Sequence, residues 1–590
     1  MAPVHLFITA MVITHVIARS HNGSMGAMNA SHDMTKECDV VVAGGSLASA
    51  AAAVAAGEAS NLTRVCFLEI TDWPGGQASA SGIPAMDFGL NYVNFPQNIP
   101  RSLAELLTDG KIGGPNHSPN YNPGECQYLP KCFAPSWAAE WLLDRLAALP
   151  NVTVFLNTAV VGVSRDAIGR VTMLRAVQRT PTVRHPSGWD RPLSRALPDW
   201  YSTTPSAYFD KTQLQFVVAP AGVVVEATEF GDVLVLAEGV AVGQGVELGT
   251  ENNTKYDEHC GNPAAFTVFA AWGSDPLPPN TTVAGKANTA QSLPAFLKVR
   301  RYWTAANHTP QPYNPYHRHP YHSVGLARGD HYTVTDNCND LANAQVFLPM
   351  AIARSTARAG AWAGGMNLTA LAMAEALAWT CYHAIEQGIL SVRPEEAGTS
   401  NGLAKMPYLR ESRRSMAGVG GFRLCHNVMS AHHTGPGGRG CATAADPPGR
   451  SGNGTGYRFL DTVGVGAPQP LFGYDVHEYP RKWCSYPAYM RTVMRIPNST
   501  VPFYIPFRAL TVASAPNMLV AGKSMATSFL ASAITRLHPN EWASGTAAGV
   551  AAVMMSALNL SAAQMAVNVS SLQDRLLSLG VPLTFNLTFE

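Results

Sequence analysis

Asp39-Val40-Val41-Val42-Ala43-Gly44-Gly45-Ser46-Leu47-Ala48-Ser49 opens a stretch that closes on Arg64-Val65-Cys66-Phe67-Leu68-Glu69. The β-branched run suits a buried parallel strand. A glycine turn follows, and Ala50 to Ala56 is strongly helix-forming. A second apolar strand then ends on an acid about 25 positions after the turn, which is the layout of a dinucleotide-binding βαβ unit. The turn lets backbone approach a pyrophosphate, and the helix N-terminus offers it N–H groups and a positive dipole end. Glu69 is placed to accept hydrogen bonds from an adenosine ribose. Against the G-x-G-x-x-G pattern, Gly44 holds the first place, while Ser46 and Ser49 stand where the second and third glycines would be. Both are small, so close approach survives. The plain alternative is an ordinary strand-to-helix turn.

The remainder of the chain supplies the context. Its 590 residues predict two to four domains. A net charge of +1 with 14% charged residues gives no electrostatic footprint for nucleic acid. The apolar run within Met1 to Ala18 predicts a signal peptide over residues 1–20, although Lys and Arg are missing before it. A single-pass signal anchor is the rival, and the run is at the short limit for spanning a bilayer. Asn-x-Ser/Thr sequons stand at Asn22, Asn29, Asn61, Asn116, Asn151, Asn252, Asn280, Asn307, Asn367, Asn453, Asn498, Asn559, Asn568 and Asn586, where composition alone gives roughly 4 or 5. Asn367 reads instead as a helix cap, and Asn61 falls inside the βαβ unit. The 10 cysteines are even in number, which an oxidising compartment turns into disulfides. Cys126–Cys132 and Cys425–Cys441 suit local staples, whereas Cys66, in a strand, reads as a buried thiol.

Further along, Gly75-Gly76-Gln77 forms a loop just past the acidic strand end. Ser136 to Leu149 predicts a helix capped by Ser136. Strands follow at 151–156, 160–164 and 170–176, and residues 180–212 read as a polar insertion. Gly222 to Asp232 is a buried strand running into a small-residue turn. Asn367 to Gln387 is a helix with Gly388 as its stop. Pro516 to Lys523 is a strand and turn. A helix beginning near Pro539 carries Gly545 and Gly549 at a spacing that suits close backbone packing.

Together these blocks resemble the FAD-dependent oxidoreductase family with a glutathione-reductase-type flavin fold, including proteins labelled xanthan-lyase-like. Gly44-Gly45-Ser46-Leu47-Ala48-Ser49 follows its glycine motif up to the last residue, where Ser49 departs. Glu69-x-x-Asp72-Trp73-x-Gly75-Gly76-Gln77, Ala227-Thr228-Glu229-Phe230-Gly231-Asp232, Arg410-Glu411-Ser412-Arg413-Arg414, Tyr474-Asp475-Val476-His477, Tyr504-Ile505-Pro506-Phe507-Arg508 and Asn517 through Gly549 are similar to its later segments, in order.

The resemblance implies an α/β fold: a Rossmann-like FAD-binding domain, with a parallel βαβ sheet, built from segments 36–100, 150–250 and 500–560. Connecting loops and a helix at 101–149, an inserted α+β substrate or cap domain at 251–499 and a tail at 561–590 complete it. FAD is the implied cofactor. Gly44, Gly45, Ser46 and Ser49 are expected at its pyrophosphate, Glu69 at its ribose, and Asp232 and Gly522 along the pyrophosphate and ribityl chain. Gly76 and Gln77 are expected near the flavin ring, with Arg536 and a helix N-terminus stabilising charge on it.

Candidate catalytic residues are Arg410 and Arg413, as a clamp for an anionic substrate, and His477 and His538, as a base. Their plainer roles are an internal ion pair with Glu411 or Asp475, and buried core histidines. No metal is expected: His317, His319 and His322, like His432 and His433, lack ligand spacing. No second strand–glycine–helix unit for a nicotinamide is evident, so dioxygen is the expected electron acceptor for a small-molecule substrate. The expected function is that of a secreted FAD-dependent oxidoreductase, with a non-catalytic secreted glycoprotein as the alternative.

Overall fold

The glycine turn joins a strand, β1 (Met34–Ala43), to a helix, α1 (Leu47–Ala59), and β2 (Val65–Leu68) returns beside β1. In this computed structural model the described residues are 34–83, 98–108, 135–185, 191–249, 253–261, 264–266, 268–272, 323–325, 331–334, 341, 345–385, 390–391, 403–416, 461–466, 484, 486–488 and 503–584. His477, Asp475, Cys126, Cys132, Cys425, Cys441 and the histidines at 317–322 and 432–433 lie outside them.

After β2 come helix α2 (Pro135–Ala147) and strands β3 (Val152–Phe155), β4 (Thr158–Arg165) and β5 (Val171–Pro181). Helix α3 (Leu193–Tyr201) leads to the long β6 (Phe209–Glu226). Helix α4 (Leu368–Ile385) follows a stretch of short strands, and β7 (Met518–Val520) enters the sheet near the C-terminus. Helices α5 (Phe529–Thr535), α6 (His538–Leu558), α7 (Ala562–Val567) and α8 (Val569–Ser578) end the described chain.

One sheet gathers strands from three distant parts of the sequence, in the order β3-β2-β1-β6-β5-β4, with β7 also on β6. The β1–β2, β2–β3, β1–β6 and β6–β7 pairs are parallel. β4, β5 and the first half of β6 form an antiparallel meander. β6 manages both by its length: its start pairs with β5, and its end, from Val224 to Glu226, pairs with β7.

From Cys38 onward β1 is buried on both faces, as a parallel strand must be. Val40 and Val42 pack into the core that contains α1 and α6, while Cys38, Val41 and Ala43 belong to the core on the opposite side. α1 is almost wholly alanine, and Leu47 to Gly57 is buried. Its thinness has a purpose. A Cβ on Gly545 or Gly549 would lie 2.1 or 2.2 Å from the carbonyls of Ala48 and Ala52. α6 therefore lies directly on α1, running in the same direction, as the glycine spacing predicted.

Two expectations are corrected. Residues 180–212 are not polar throughout: Leu193, Ala196, Leu197, Trp200 and Tyr201 are buried along one face of α3. The prolines at 192 and 198 mask that 3.6-residue period. Cys66 is no thiol either. It forms a disulfide with Cys38 across β1 and β2. The two residues share one core, and only the strand pairing brings them together. A second disulfide joins Cys260 to Cys484.

Candidate active site

β1 and β6 end side by side. Beyond β1 the chain turns into α1; beyond β6 it turns at Ala227; β7 ends next to β6 at Ala521. Backbone bonds tie these three ends together: Ala227 N–H donates to the Ala43 carbonyl (2.9 Å) and Ala521 N–H to the Glu226 carbonyl (3.0 Å). The crevice beyond the carboxyl ends of adjacent parallel strands is where open α/β sheets bind dinucleotides.

In the first turn, Ser46 is the N-cap of α1 and accepts from Ser49 N–H (3.1 Å), while its own hydroxyl donates to the Ala227 carbonyl (2.6 Å). The Gly45 and Ser46 N–H groups both donate to Ser49 Oγ, at 3.2 Å each. Ser49 Oγ in turn donates to the Ser46 carbonyl (2.7 Å). Thus two of the backbone donors expected to face a pyrophosphate converge on one hydroxyl oxygen.

Gly76 is pressed onto this turn. It has a φ of +50°, and a Cβ there would lie 2.5 Å from Ser46 Cα. Its immediate contact is thus the backbone of the glycine turn. Glu69, fully buried, stands at the end of β2. Its Oε1 accepts from Thr71 N–H (3.1 Å) and Thr71 Oγ1 (3.2 Å), and its Oε2 has no hydrogen-bond partner. Burial pushes this carboxyl up to about 8, against the opposing pull of the Thr71 bonds.

The second turn is acidic. Glu226 Oε1 accepts from Thr228 N–H (2.5 Å) and its hydroxyl (2.6 Å), and Oε2 accepts from Val233 N–H (2.6 Å). Asp232 accepts from the Tyr201 hydroxyl (3.0 Å) and from Trp362 Nε1 (2.8 Å). Lys523, in the turn beyond β7, donates to Glu229 (2.8 Å) and lies 2.8 Å from Glu541 Oε1 in the first turn of α6. All three are buried. Burial raises Glu229 to about 7 despite Lys523, whereas the two carboxylates hold the lysine well above its ordinary value. Gly522 adjoins this triad: its N–H donates to Ser544 Oγ (3.1 Å).

Beside the first turn lies a second cluster. Gln77 Nε2 donates to the Arg536 carbonyl (2.9 Å), and Arg536 donates to the Tyr408 hydroxyl (2.6 Å). The Arg410 and Arg536 guanidiniums sit 4.9 and 5.7 Å from the centroid of the Tyr408 ring. His538, buried, is the first residue of α6, two positions beyond Arg536. Gln77, Arg410, Arg536 and His538 are thereby gathered at the α6 N-terminus. Tyr408, which no pattern singled out as a site residue, is the contact that Arg410 and Arg536 share.

Arg413 is elsewhere. It donates to the carbonyls of Phe230 (2.9 Å), Gly364 (3.0 Å) and Gly365 (2.6 Å) and to Gln244 Oε1 (3.1 Å). It ties the second turn to the loop before α4, and these bonds go to carbonyl groups and not to Glu411. Arg508 pairs with Asp461 at 3.2 Å.

The residues present fit FAD. Glu69 Oε2 and Gln77 Oε1 are buried acceptors without donors, which the hydroxyl and N–H groups of a bound FAD would supply. The first turn offers backbone N–H groups at the start of a 13-residue helix.

No curated protein matches the chain. Among solved structures, quinol fumarate reductase of E. coli is similar at 12% identity, over 91% of this chain and 74% of that one, with a TM-score of 0.28. L-proline dehydrogenase of P. horikoshii is similar at 14% identity over 34% of this chain, with a TM-score of 0.16, and the chain spans only 24% of its length. Thioredoxin reductase of T. acidophilum is similar at 14% identity over 36% of this chain and 40% of that one, with a TM-score of 0.16. The profile of one family, described as FAD dependent oxidoreductase, matches residues 39–184 and 206–576. Those two spans contain the glycine turn, the acid of β2, the acidic turn and the α6 junction, and the chain accordingly belongs to the FAD-dependent oxidoreductase family.

Proposed function

We propose that this enzyme is secreted and oxidises a small organic substrate bound beside Tyr408, with dioxygen as the final electron acceptor. The observation that carries the reading is the junction of Gln77, Tyr408, Arg410, Arg536 and His538 at the N-terminus of α6. When bound, FAD supplies a two-electron acceptor. In this proposal Glu69 Oε2 accepts from its ribose, and the Gly45 and Ser46 N–H groups face its pyrophosphate. Arg410 and Arg536, both held against Tyr408, bind and orient an anionic group of the substrate. His538 accepts the proton that the substrate loses. The positive end of α6 and Arg536 favour negative charge at the junction. The disulfides at Cys38–Cys66 and Cys260–Cys484 support an oxidising compartment, where nicotinamide cofactors are scarce.

The test is anaerobic mixing of the purified yellow protein with a panel of small acids, amines and alcohols, followed by admission of air. Bleaching by a substrate, rapid recovery in air and release of peroxide are expected. His538→Gln should slow bleaching by about 100-fold, and Arg410→Leu should raise the substrate concentration needed. Recovery in air only over hours would replace dioxygen with another acceptor.

A further inference from the structure

Asn61, Asn559 and Asn568 are exposed, whereas Asn151 and Asn367 are half-buried. The split extends to chemistry. Asn151 Nδ2 donates to three carbonyls, of Gly57 (3.3 Å), Ser60 (2.6 Å) and Thr63 (3.1 Å), and so clasps the end of α1. Asn367 Oδ1 caps α4 by accepting from Ala370 N–H (3.2 Å). The Asn61 and Asn559 side chains have no such duties; Asn559 marks the left-handed C-cap of α6 through its backbone alone. Asn568 Nδ2 donates a single bond, to the Gln564 carbonyl (3.0 Å), which an N-substituted amide can keep with its remaining hydrogen.

A second, independent observation falls on the same three places. Leu62, Leu558 and Val567 are 87%, 59% and 84% exposed, and each adjoins one of these asparagines. At the committed asparagines the pattern reverses: Met366, beside Asn367, is 3% exposed. Ile168 and Val183, 73% and 97% exposed, have no sequon beside them, so it is the coincidence of an exposed apolar residue with an exposed sequon that marks these three places.

We propose that Asn61, Asn559 and Asn568 carry N-linked glycans that cover Leu62, Leu558 and Val567, and that Asn151 and Asn367 carry none. This rests on the secretory reading above. The reaction joins Asn Nδ2 to the anomeric carbon of a lipid-pyrophosphate oligosaccharide. The sugar–phosphate bond breaks, the lipid pyrophosphate leaves with the electron pair, and the amide proton passes to the transferase base.

The fold also says which end is covered. α1 starts at the glycine turn and α6 lies on it in the same direction, Gly545 against Ala48 and Gly549 against Ala52. Asn61 and Asn559 follow the far ends of these helices, about 20 Å from the turn for a 13-residue helix. Glycans at both sites leave the cofactor crevice open.

The full chain, with its own first residues, is expressed in a eukaryotic secretory host, and glycans are released by a peptide amidase in heavy-oxygen water. Peptide mass spectrometry should find labelled Asp at 61, 559 and 568, and intact Asn at 151 and 367. Labelling at Asn151 or Asn367 in folded, FAD-loaded protein would overturn the assignment. So would labelling at other sequons with none at Asn61, Asn559 and Asn568. A chain retained inside the cell with none of its sequons labelled would instead overturn the secretory reading. Trimming each glycan to one sugar should raise binding of an apolar dye about two-fold without altering the flavin spectrum. The triple variant Leu62→Ser, Leu558→Ser, Val567→Ser should abolish that rise; a rise that persists in it would overturn the covering role.

Discussion

The two turns that meet at the ends of β1 and β6 do opposite things with their polar groups. The first, Gly44 to Ser49, has no charged side chain and gathers backbone N–H groups around a single hydroxyl. The second, Glu226 to Asp232, carries three buried acids, and each is already matched by Thr228, Lys523, Tyr201 or Trp362. A turn built to receive a ligand's charge keeps its donors generic and local. A turn built to hold distant segments together spends its charges on them. By this contrast the second turn frames the crevice, and the first forms its receiving edge.

The sharpest way to break this contrast is to remove the cation from the frame. Lys523→Met leaves Glu229 and Glu541 buried without a counter-charge, a defect that costs about 3–5 kcal/mol. The melting temperature of the FAD-free protein should fall by roughly 3 °C. Adding Glu229→Gln and Glu541→Gln should restore most of the loss, since neutral partners need no cation. A single variant as stable as the parent would mean that the triad frames nothing.

Next in size is a wedge at the receiving edge. Gly76→Ala places a Cβ against the Ser46 backbone, in a conformation that L residues rarely adopt. FAD affinity should drop at least about 100-fold, near 3 kcal/mol, while the frame survives and the protein remains folded by circular dichroism. Unchanged FAD binding would separate the Gly75–Gln77 loop from the cofactor.

These two sites also differ in how far the sequence exposed them. The β1–glycine–α1–β2 unit is legible because its signals are local: a β-branched run, a turn, an alanine run and an acid, all within one βαβ unit. Gly545 and Gly549 are legible for the same reason. The Cys38–Cys66 bond is not, because it depends on two strands lying side by side on one core face. Arg410 and Arg413 are three residues apart in one charged block, yet one stacks on Tyr408 and the other is consumed by carbonyls from residues 230, 364 and 365. Nothing in the spacing distinguishes them; the partners arrive from elsewhere in the chain. Tyr201 and Trp362 likewise reach the Asp232 carboxylate from distant segments that nothing in its turn announces.

Acidity offers a milder test of the same contrast. Burial raises Glu69 and Glu226 to about 8, Glu229 to about 7 and Asp232 to about 6. The folded chain therefore keeps protons that the unfolded chain releases near its ordinary carboxylate range. Stability from these groups is complete below about pH 4 and is lost as pH rises through 6 to 8. The FAD-free protein should melt roughly 5 °C lower at pH 8 than at pH 5. Glu69→Gln should remove the part of that slope nearest pH 8, and it should weaken FAD by about 10-fold through the lost ribose acceptor. A slope that is flat in the parent, or a Glu69→Gln variant that binds FAD as tightly, would detach Glu69 from the receiving edge.

The smallest effect concerns Ser49. Its hydroxyl accepts from Gly45 and Ser46 N–H, the donors that a pyrophosphate oxygen would take, and it reciprocates the cap with Ser46. Two consequences oppose each other when it is removed. Losing the capping bond costs α1 about 1 kcal/mol. Releasing two N–H groups at a helix N-terminus gains a comparable amount once an anion accepts them. Ser49→Ala separates the two, since it frees the donors without adding glycine's backbone entropy. The FAD-free protein should melt about 1–2 °C lower, and FAD should bind about 3-fold more tightly. Weaker binding would show that the hydroxyl turns and donates to the pyrophosphate itself. The first turn would then, like the second, rely on a side chain of its own rather than on backbone alone.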